Sequence, residues 1–395
     1  MSFDFPKIIL KKTKERSLQN FHPWLFSGAI EKKEDGIKEG DTVEIFSNNQ
    51  NYLATGHYHE GSIMVRVFSF EKTENGYDFW KSKLVKAFQL REQLGMINNA
   101  ETNVYRLVNA EGDGMPGLII DVFATTAVVQ THTLGMHRLK HFIVDALKEI
   151  YGSRLTAIYD KSAESMSKQE ASGVTNGFLF GTEDEIVVIE NNIRFYIDIP
   201  EGQKTGFFID QRENRKLLAY YSKEKSILNA FAYSGGFSMH ALNGMATLVH
   251  SVDSSKKAAA LAERNIALNF RDAPHQFFSE DVFDFLKKSE TRYDVMVLDP
   301  PAFAKHLSSV DKATIGYRNL NCEAFRQIKK NGIVFTFSCS QAIDKNLFRK
   351  IIFTAAVQAK RNAKVLHQLT QPADHPISIY HPEGEYLKGL VLYVE

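Results

Sequence analysis

Several short stretches in the second half of this chain combine residue types that bind nucleotide-like ligands or do covalent chemistry. Asn229-Ala230-Phe231-Ala232-Tyr233-Ser234-Gly235-Gly236-Phe237-Ser238 follows an apolar run and opens a helical one. Glycines there let the backbone approach a ligand closely, and a helix start offers free N–H groups to an anion. An ordinary strand-to-helix loop is the plain alternative. Asp253, in Val252-Asp253-Ser254-Ser255, ends the next strand, where a carboxylate can accept both hydroxyl hydrogens of a ribose. Asp281, in Glu280-Asp281-Val282-Phe283, ends the third, where an acid can meet an adenine edge while its apolar neighbour packs on the ring. Taken alone, either acid also reads as a helix N-cap. Three such sites at consecutive strand ends point to one crevice, because ligands of open α/β sheets bind there.

Two further stretches supply reactive groups. Leu298-Asp299-Pro300-Pro301-Ala302-Phe303-Ala304-Lys305 sets two prolines directly after a buried strand. They impose a fixed extended exit and turn the Asp299 carboxylate toward whatever lies above the sheet. Phe303 offers a ring on which a base could stack. Pro300, Pro301, Phe303 and Lys305 form the expected substrate-binding set; a purely structural turn is the alternative. Phe337-Ser338-Cys339-Ser340 ends the fifth strand. A cysteine is by default a small buried hydrophobe. At a strand terminus facing the crevice, a thiolate can serve as nucleophile. Cys322 lies within an apparent helix and reads as packing. No metal site is expected.

These stretches need a sheet to hold them. Apolar strands are expected at Ser226 to Phe231, Thr247 to Asp253, Gln276 to Phe278, Val295 to Asp299, Gly332 to Phe337, Val365 to Leu369 and Gly389 to Val394. Helices alternate with them at Phe237 to Asn243, Lys256 to Leu268, Phe283 to Lys288, Tyr317 to Lys329 and Lys345 to Arg361. That alternation predicts a Rossmann-like, doubly wound sheet with a mostly parallel core, over 186–395. Ile186 to Ile199 reads as a hairpin turning at Glu190-Asn191-Asn192. Ahead of it, residues 1–72 read as short strands broken by Gly and Asn clusters, a small β-barrel. Residues 73–185 read as a compact α+β module, with helices at Tyr77 to Gly95 and Arg138 to Tyr151.

The 395 residues exceed what one core usually supports, and the 44% hydrophobic and 24% charged content is that of a folded soluble protein. No stretch is apolar for long enough to span a bilayer, so no membrane partner is expected, and Met1 to Leu10 lacks the pattern of a secretory signal. Two cysteines make no disulfide framework, and the reducing cytoplasm is the expected compartment. Net charge is only +1, so any grip on phosphates must be local. Lys7, Lys11, Lys12, Lys14 and Arg16 form one basic stretch; Lys204, Arg212, Arg215 and Lys216 form another. Either also reads as a solvated face.

Together, the Asn229 turn, Asp253, Asp281, Asp299-Pro300-Pro301 and Ser338-Cys339-Ser340 resemble the class I S-adenosylmethionine (AdoMet) methyltransferases. More narrowly, the chain is similar to the RlmI-type large-subunit rRNA cytosine-C5 methyltransferases. Further matches are Phe21-His22-Pro23-Trp24-Leu25-Phe26-Ser27-Gly28, Glu111-Gly112-Asp113-Gly114-Met115-Pro116-Gly117-Leu118 and Gln203-Lys204-Thr205-Gly206-Phe207-Phe208-Ile209-Asp210-Gln211-Arg212. The resemblance covers nearly the whole chain. It implies an N-terminal PUA-like RNA-binding domain, a central α+β domain and a methyltransferase domain, with RNA, chiefly large-subunit rRNA, as partner and a homodimer left open.

The resemblance also implies roles. Phe231, Ala232, Tyr233, Ser234 and Gly235 would line the methionine part of AdoMet, Asp253 would hold its ribose and Asp281 would meet its adenine, with Asp299 at the same site. Phe207 and Arg212 would lie in a loop closing over the cofactor. Cys339 would add to C6 of cytosine, and Asp299 would bind the base edge and assist proton transfer. Many RNA cytosine-C5 methyltransferases carry a second cysteine after the proline of the fourth motif; here Pro300-Pro301-Ala302 has none, as in the RlmI-type group, which leaves the agent of product release unassigned. Two rivals stand beside this reading: methylation of an exocyclic amine such as guanine N2 with Cys339 inert, and a non-catalytic RNA-binding assembly factor.

Overall fold

The structure, a computed structural model, describes residues 5–166, 173–183, 185–304 and 307–395. The chain divides into two compact units: Met1–Val188 with Ile197–Phe207 and Ala373–Gly384, and Ile189–Tyr196 with Phe208–Pro372 and Glu385–Glu395.

In the first unit a six-stranded sheet runs in the order Trp24–Phe26, Ile63–Ser69, Tyr52–Tyr58, Thr42–Phe46, Lys7–Leu10, Ile30–Lys33. Its neighbours are antiparallel except Lys7–Leu10 beside Thr42–Phe46. Ile8, Leu10, Leu25, Val43, Ile45, Val65 and Val67 close its core. A five-stranded sheet follows (Gly177–Phe180, Ala157–Asp160, Thr126–Thr131, Leu118–Phe123, Val104–Asn109). The helices Tyr77–Gln93 and Lys140–Tyr151 pack together and supply Trp80, Leu84, Ile143 and Leu147 to its core. The short strands Trp24–Phe26, Ile30–Lys33 and Gly177–Phe180 are not among the expected ones; none of them alternates apolar with polar residues.

The second unit is a seven-stranded sheet. Its strands are β1 Ser226–Ala230, β2 Leu248–Val252, β3 His275–Phe278, β4 Tyr293–Leu298, β5 Ile328–Ser338, β6 Ala363–Leu369 and β7 Lys388–Val394. Their order is β3-β2-β1-β4-β5-β7-β6. Pairing is parallel from β3 through β5, and β7 is antiparallel to both β5 and β6. This is the expected doubly wound α/β fold. Helix α1 Arg212–Tyr221 packs with α2 Gly236–Asn243, which meets α3 Lys256–Asn269; α4 Val282–Lys288 and α6 Lys345–Ala359 both pack on α5 Val310–Gln327. β1 is buried at all five positions, the continuous apolar reading of a central parallel strand. Between the expected strands Ile186–Glu190 and Ile193–Ile197 of the hairpin, Asn191 and Asn192 take φ of 51° and 65°, as a type I′ turn requires.

Two helices differ from expectation. α5 begins at Val310 and ends at Gln327, and residues 328–329 belong to β5 instead. α1 had no sequence signature: its buried residues are Arg212, Asn214, Arg215 and Leu218, so apolar periodicity is silent on its inner face.

Candidate active site

Parallel strands that all run one way bring their C-terminal loops to one edge, and that edge collects Phe231 to Gly235, Asp253, Asp281, Asp299 and Cys339. The loop after β1 is the most constrained. Phe231, Tyr233 and Gly235 take φ of 59°, 46° and 79°, alternating with Ala232 and Ser234. Left-handed backbone at non-glycine residues is uncommon and costs about 1–3 kcal/mol each, so surrounding structure must hold it. It is held. Asp253 Oδ2 accepts from Tyr233 N at 3.0 Å and Asn265 Nδ2 of α3 donates to the Ser234 carbonyl at 3.1 Å. Below the loop, Asn229 Nδ2 donates to Ser238 Oγ at 2.9 Å, and Ser238 Oγ meets Ser251 Oγ at 2.6 Å. Gly235 caps α2 and must be glycine: its φ is left-handed, and a Cβ would sit 3.1 Å from Ala262 Cβ.

The helix N-cap reading holds for Asp281 and not for Asp253, since Ser255 caps α3. Asp253 Oδ1 accepts from Ser255 N at 2.9 Å, so the half-buried carboxylate is oriented by two backbone donors. Asp281 is the N-cap of α4, and its Oδ1 accepts from Phe283 N at 2.8 Å and Asp284 N at 3.1 Å. Among the described residues Oδ2 of this exposed carboxylate accepts no hydrogen bond, which leaves it available to an adenine edge.

Asp299 leaves β4 with its carboxylate half-buried, followed by a buried Pro300 and an exposed Pro301. Gln211 Nε2 donates to its Oδ2 at 3.0 Å, and Gln211 Oε1 in turn accepts from Asn214 Nδ2 at 2.6 Å. Burial first, and then the nearby Asp210 carboxylate, push Asp299 up to about 7, against opposing pulls from Gln211 and Arg215. Asp210 itself accepts from the Tyr386 hydroxyl at 2.8 Å through Oδ2, while its buried Oδ1 has no partner among the described residues.

The neighbouring strand end carries Cys339, which is partly exposed. Ser340 Oγ accepts from Ala304 N at 3.2 Å and lies 2.9 Å from the Tyr317 hydroxyl, tying the loop after β5 to the loop after β4. Phe303 is half-buried on the core, with its ring 4.6 Å from that of Tyr317. Lys305 lies outside the described residues. Cys322 is buried in the core, as expected of packing, and burial raises its thiol.

Arg212 and Arg215 correct the idea of a basic stretch exposed at this point. Both are buried, Arg212 beside Glu213 at 3.1 Å and Arg215 in a bidentate pair with Glu190 at 2.7 and 2.6 Å. Positive charge so enclosed is not offered to a phosphate. Lys11, Lys12, Lys14 and Arg16 are exposed. Phe207 is buried in the first unit; one residue later, Phe208 sets its ring edge-on to Tyr233 at 5.3 Å. Asp210, Gln211, Phe208, Asn265, Tyr317, Tyr386 and Lys388 had no role from the sequence, because a lone polar residue beside an apolar run carries no periodic signal.

The strained loop, the Asp253 carboxylate bonded to it and the Asp281 carboxylate at the end of the third strand fit a ligand bearing a ribose and a charged tail. A family model for S-adenosylmethionine-dependent methyltransferases matches residues 171–371, and one for PUA-like domains matches residues 8–70. The ribosomal RNA large subunit methyltransferase I of Aeromonas salmonicida is 40% identical over 393 residues, covering 98% of each chain. That of Tolumonas auensis is 39% identical over 394 residues, again with 98% of each covered. The chain belongs to this family of AdoMet-dependent methyltransferases. Its fold matches that of a protein assigned as a SAM-dependent methyltransferase from Streptococcus mutans (TM-score 0.85, 22% identity, 98% of this chain and 99% of that one). It also matches a methyltransferase structure complexed with SAH (TM-score 0.85, 23% identity, the same coverage). Among the described residues no helix is long and apolar enough to cross a membrane, and no cluster of His, Cys, Asp or Glu is placed to hold a metal ion.

Proposed function

We propose that this protein methylates C5 of a cytosine in large-subunit rRNA through a covalent Cys339 adduct. Its relatives carry that RNA in their names. The observation that carries the chemistry is the tie between two adjacent strand ends: the Ala304 N–H and Ser340 Oγ join the Asp299-bearing loop to the Cys339-bearing one. A carboxyl and a thiol on neighbouring strands can address opposite parts of one pyrimidine.

AdoMet supplies an electrophilic methyl group when bound. Phe231 to Gly235 would line its methionine part, with Asp253 on the ribose, Asp281 on the adenine and Phe207 and Arg212 in the covering loop. The protein's own residues must make C5 nucleophilic. In its protonated form Asp299 donates to cytosine N3 and accepts from the N4 amino group, which a carboxylate cannot do; a carboxyl near 7 keeps that form populated at neutral pH. Drawing density to N3 exposes C6 to the Cys339 thiolate. A Cys339 Sγ–C6 bond forms, C5 becomes enamine-like and accepts the methyl. Loss of the C5 proton to a base then restores the C5–C6 double bond and breaks the Sγ–C6 bond, freeing the thiolate. The target must first leave its stack, and Pro300, Pro301, Phe303 and Lys305 would receive it. The reading includes a PUA-like RNA-binding domain over 1–72, an α+β domain over 73–185, the methyltransferase domain over 186–395, and a cytoplasmic location.

The test is RNA substituted with 5-fluorocytosine, whose C5 cannot lose fluorine as a cation. A denaturation-resistant protein–RNA adduct is expected, absent from Cys339→Ala. A fully active Cys339→Ala enzyme would sink the C5 assignment and leave an exocyclic amine as the target. AdoMet binding by calorimetry separates both from a non-catalytic assembly factor.

A further inference from the structure

Lys388 opens β7 and is buried, yet its ammonium has no carboxylate within ion-pair distance among the described residues. Its Nζ donates to two main-chain carbonyls, Ser340 O and Tyr386 O, both at 2.7 Å. Buried charges are normally paired, because desolvating an ammonium is costly and carbonyl dipoles replace only part of its hydration. The residues around it suggest what the charge is for. Ser338 pairs with Lys388 across the β5–β7 ladder, and Ser340 accepts from its Nζ; Cys339 is the residue between them.

We propose that Lys388 is a positioning residue that holds Cys339 as a thiolate, its ammonium being the counter-charge of the sulfur. This rests on the nucleophilic reading of Cys339. The ionisation balances simply: the Cys339 Sγ–H bond breaks, the electron pair stays on sulfur, the proton passes to solvent, and the pair becomes thiolate and ammonium. Burial pulls Lys388 down to about 8, and the strongest influence in the opposite direction is Cys339, ahead of Glu385 and Asp344, while Lys345 adds to the lowering. Those other charges answer one another in part, since Lys345 pairs with Glu385 at 2.5 Å. On the α5 side the phenol of Tyr317, pushed up by burial, stays neutral beside Ser340 Oγ and brings no charge to compete for the cation. A lysine kept only to tie a strand to a loop would serve both carbonyls as well when neutral.

The test is the rate at which iodoacetamide alkylates Cys339 in the full-length protein between pH 6 and 10. Peptide mapping by mass spectrometry separates Cys339 from the buried Cys322. In the wild type, the midpoint should lie below the free-thiol value of about 8.5. In Lys388→Gln it should rise by about one unit or more, cutting alkylation at pH 7 roughly tenfold, and Lys388→Arg should restore most of it. A wild-type midpoint at or above the free-thiol value overturns the proposal whether or not any variant folds. So does a folded Lys388→Gln protein whose midpoint is unmoved. Methylation by Cys339→Ala is scored separately. If that variant is active and the midpoint still shifts, the cytosine-C5 reading fails and the Lys388–Cys339 pairing stands; the reverse pattern removes the pairing alone.

Discussion

In the first unit the buried guanidinium of Arg91 is met on every side. Asp113 accepts from it at 2.5 and 2.8 Å, and the carbonyls of Arg106 and Asp374 accept at 2.8 and 2.7 Å. Arg106 and the buried Asp121 form a second such pair at 2.8 and 3.0 Å, and Thr205 Oγ1 completes it at 2.6 Å. In the second unit the crevice leaves similar groups short. Among the described residues Asp210 Oδ1 is buried without a partner, Asp299 is held near 7 and Lys388 has no carboxylate partner. The first arrangement is a clamp in which every charge is answered. The second keeps groups whose proton affinities are displaced by burial and by one another, as sites tuned for proton transfer do. The same contrast explains the Glu111-Gly112-Asp113-Gly114 stretch. It is one of the stretches that carry the family resemblance, and its place is the clamp: Asp113 serves Arg91, and Gly112 is required because a Cβ there would lie 1.9 Å from the Pro376 carbonyl.

The contrast can be broken by experiment, and the clamp should give the largest effect. Arg91→Met strands the buried Asp113 carboxylate, and denaturant unfolding should show a loss of about 3–5 kcal/mol; a loss below about 1 kcal/mol would mean the clamp is not tight. In the crevice, Asp253→Asn removes a doubly accepting carboxylate. AdoMet affinity measured by calorimetry should fall about 10- to 150-fold, the worth of a charged hydrogen bond of about 1.5–3 kcal/mol, and about 1 kcal/mol of stability should go with the lost backbone hydrogen bond.

Asp299→Asn tests the raised carboxyl through pH. The folded chain holds this proton more tightly than the unfolded chain, whose carboxyl sits near 3.8. Between that value and about 7, therefore, wild-type stability falls as pH rises, and the penalty is complete above 7. Melting curves at pH 4 and pH 8 should show the variant gaining on the wild type at the higher pH; parallel shifts at both would exclude a raised Asp299. The smallest effect is expected from Ser340→Ala, which leaves the Tyr317 hydroxyl and the Ala304 amide without Ser340 Oγ. About 1 kcal/mol of stability should be lost, and methylation should fall more than stability because the loops after β4 and β5 come apart.

Much of this site could be read from the chain because its residues sit at strand ends that apolar runs mark out. Asp253, Asp281, Asp299 and Cys339 each follow a recognisable strand, and six of the seven strands began within two residues of expectation, β5 being the exception. β5 starts four residues early because its polar opening, Lys329-Lys330-Asn331, has no strand pattern. Helix α1 escaped for a similar reason: its inner face is built from Arg212, Asn214 and Arg215, whose burial depends on partners such as Glu190 that lie outside the helix.

The sequence by itself determined the layered α/β architecture and the line of acids and thiol along one sheet edge, because hydrophobic period and strand order are local or nearly local properties of a chain. Only the tertiary structure decided the electrical state of those groups. It raised Asp299 through burial and Asp210, turned Arg215 inward to Glu190 and set the lone ammonium of Lys388 beside the Cys339 loop. Such outcomes depend on which residues far apart in sequence meet, and on how little water remains between them.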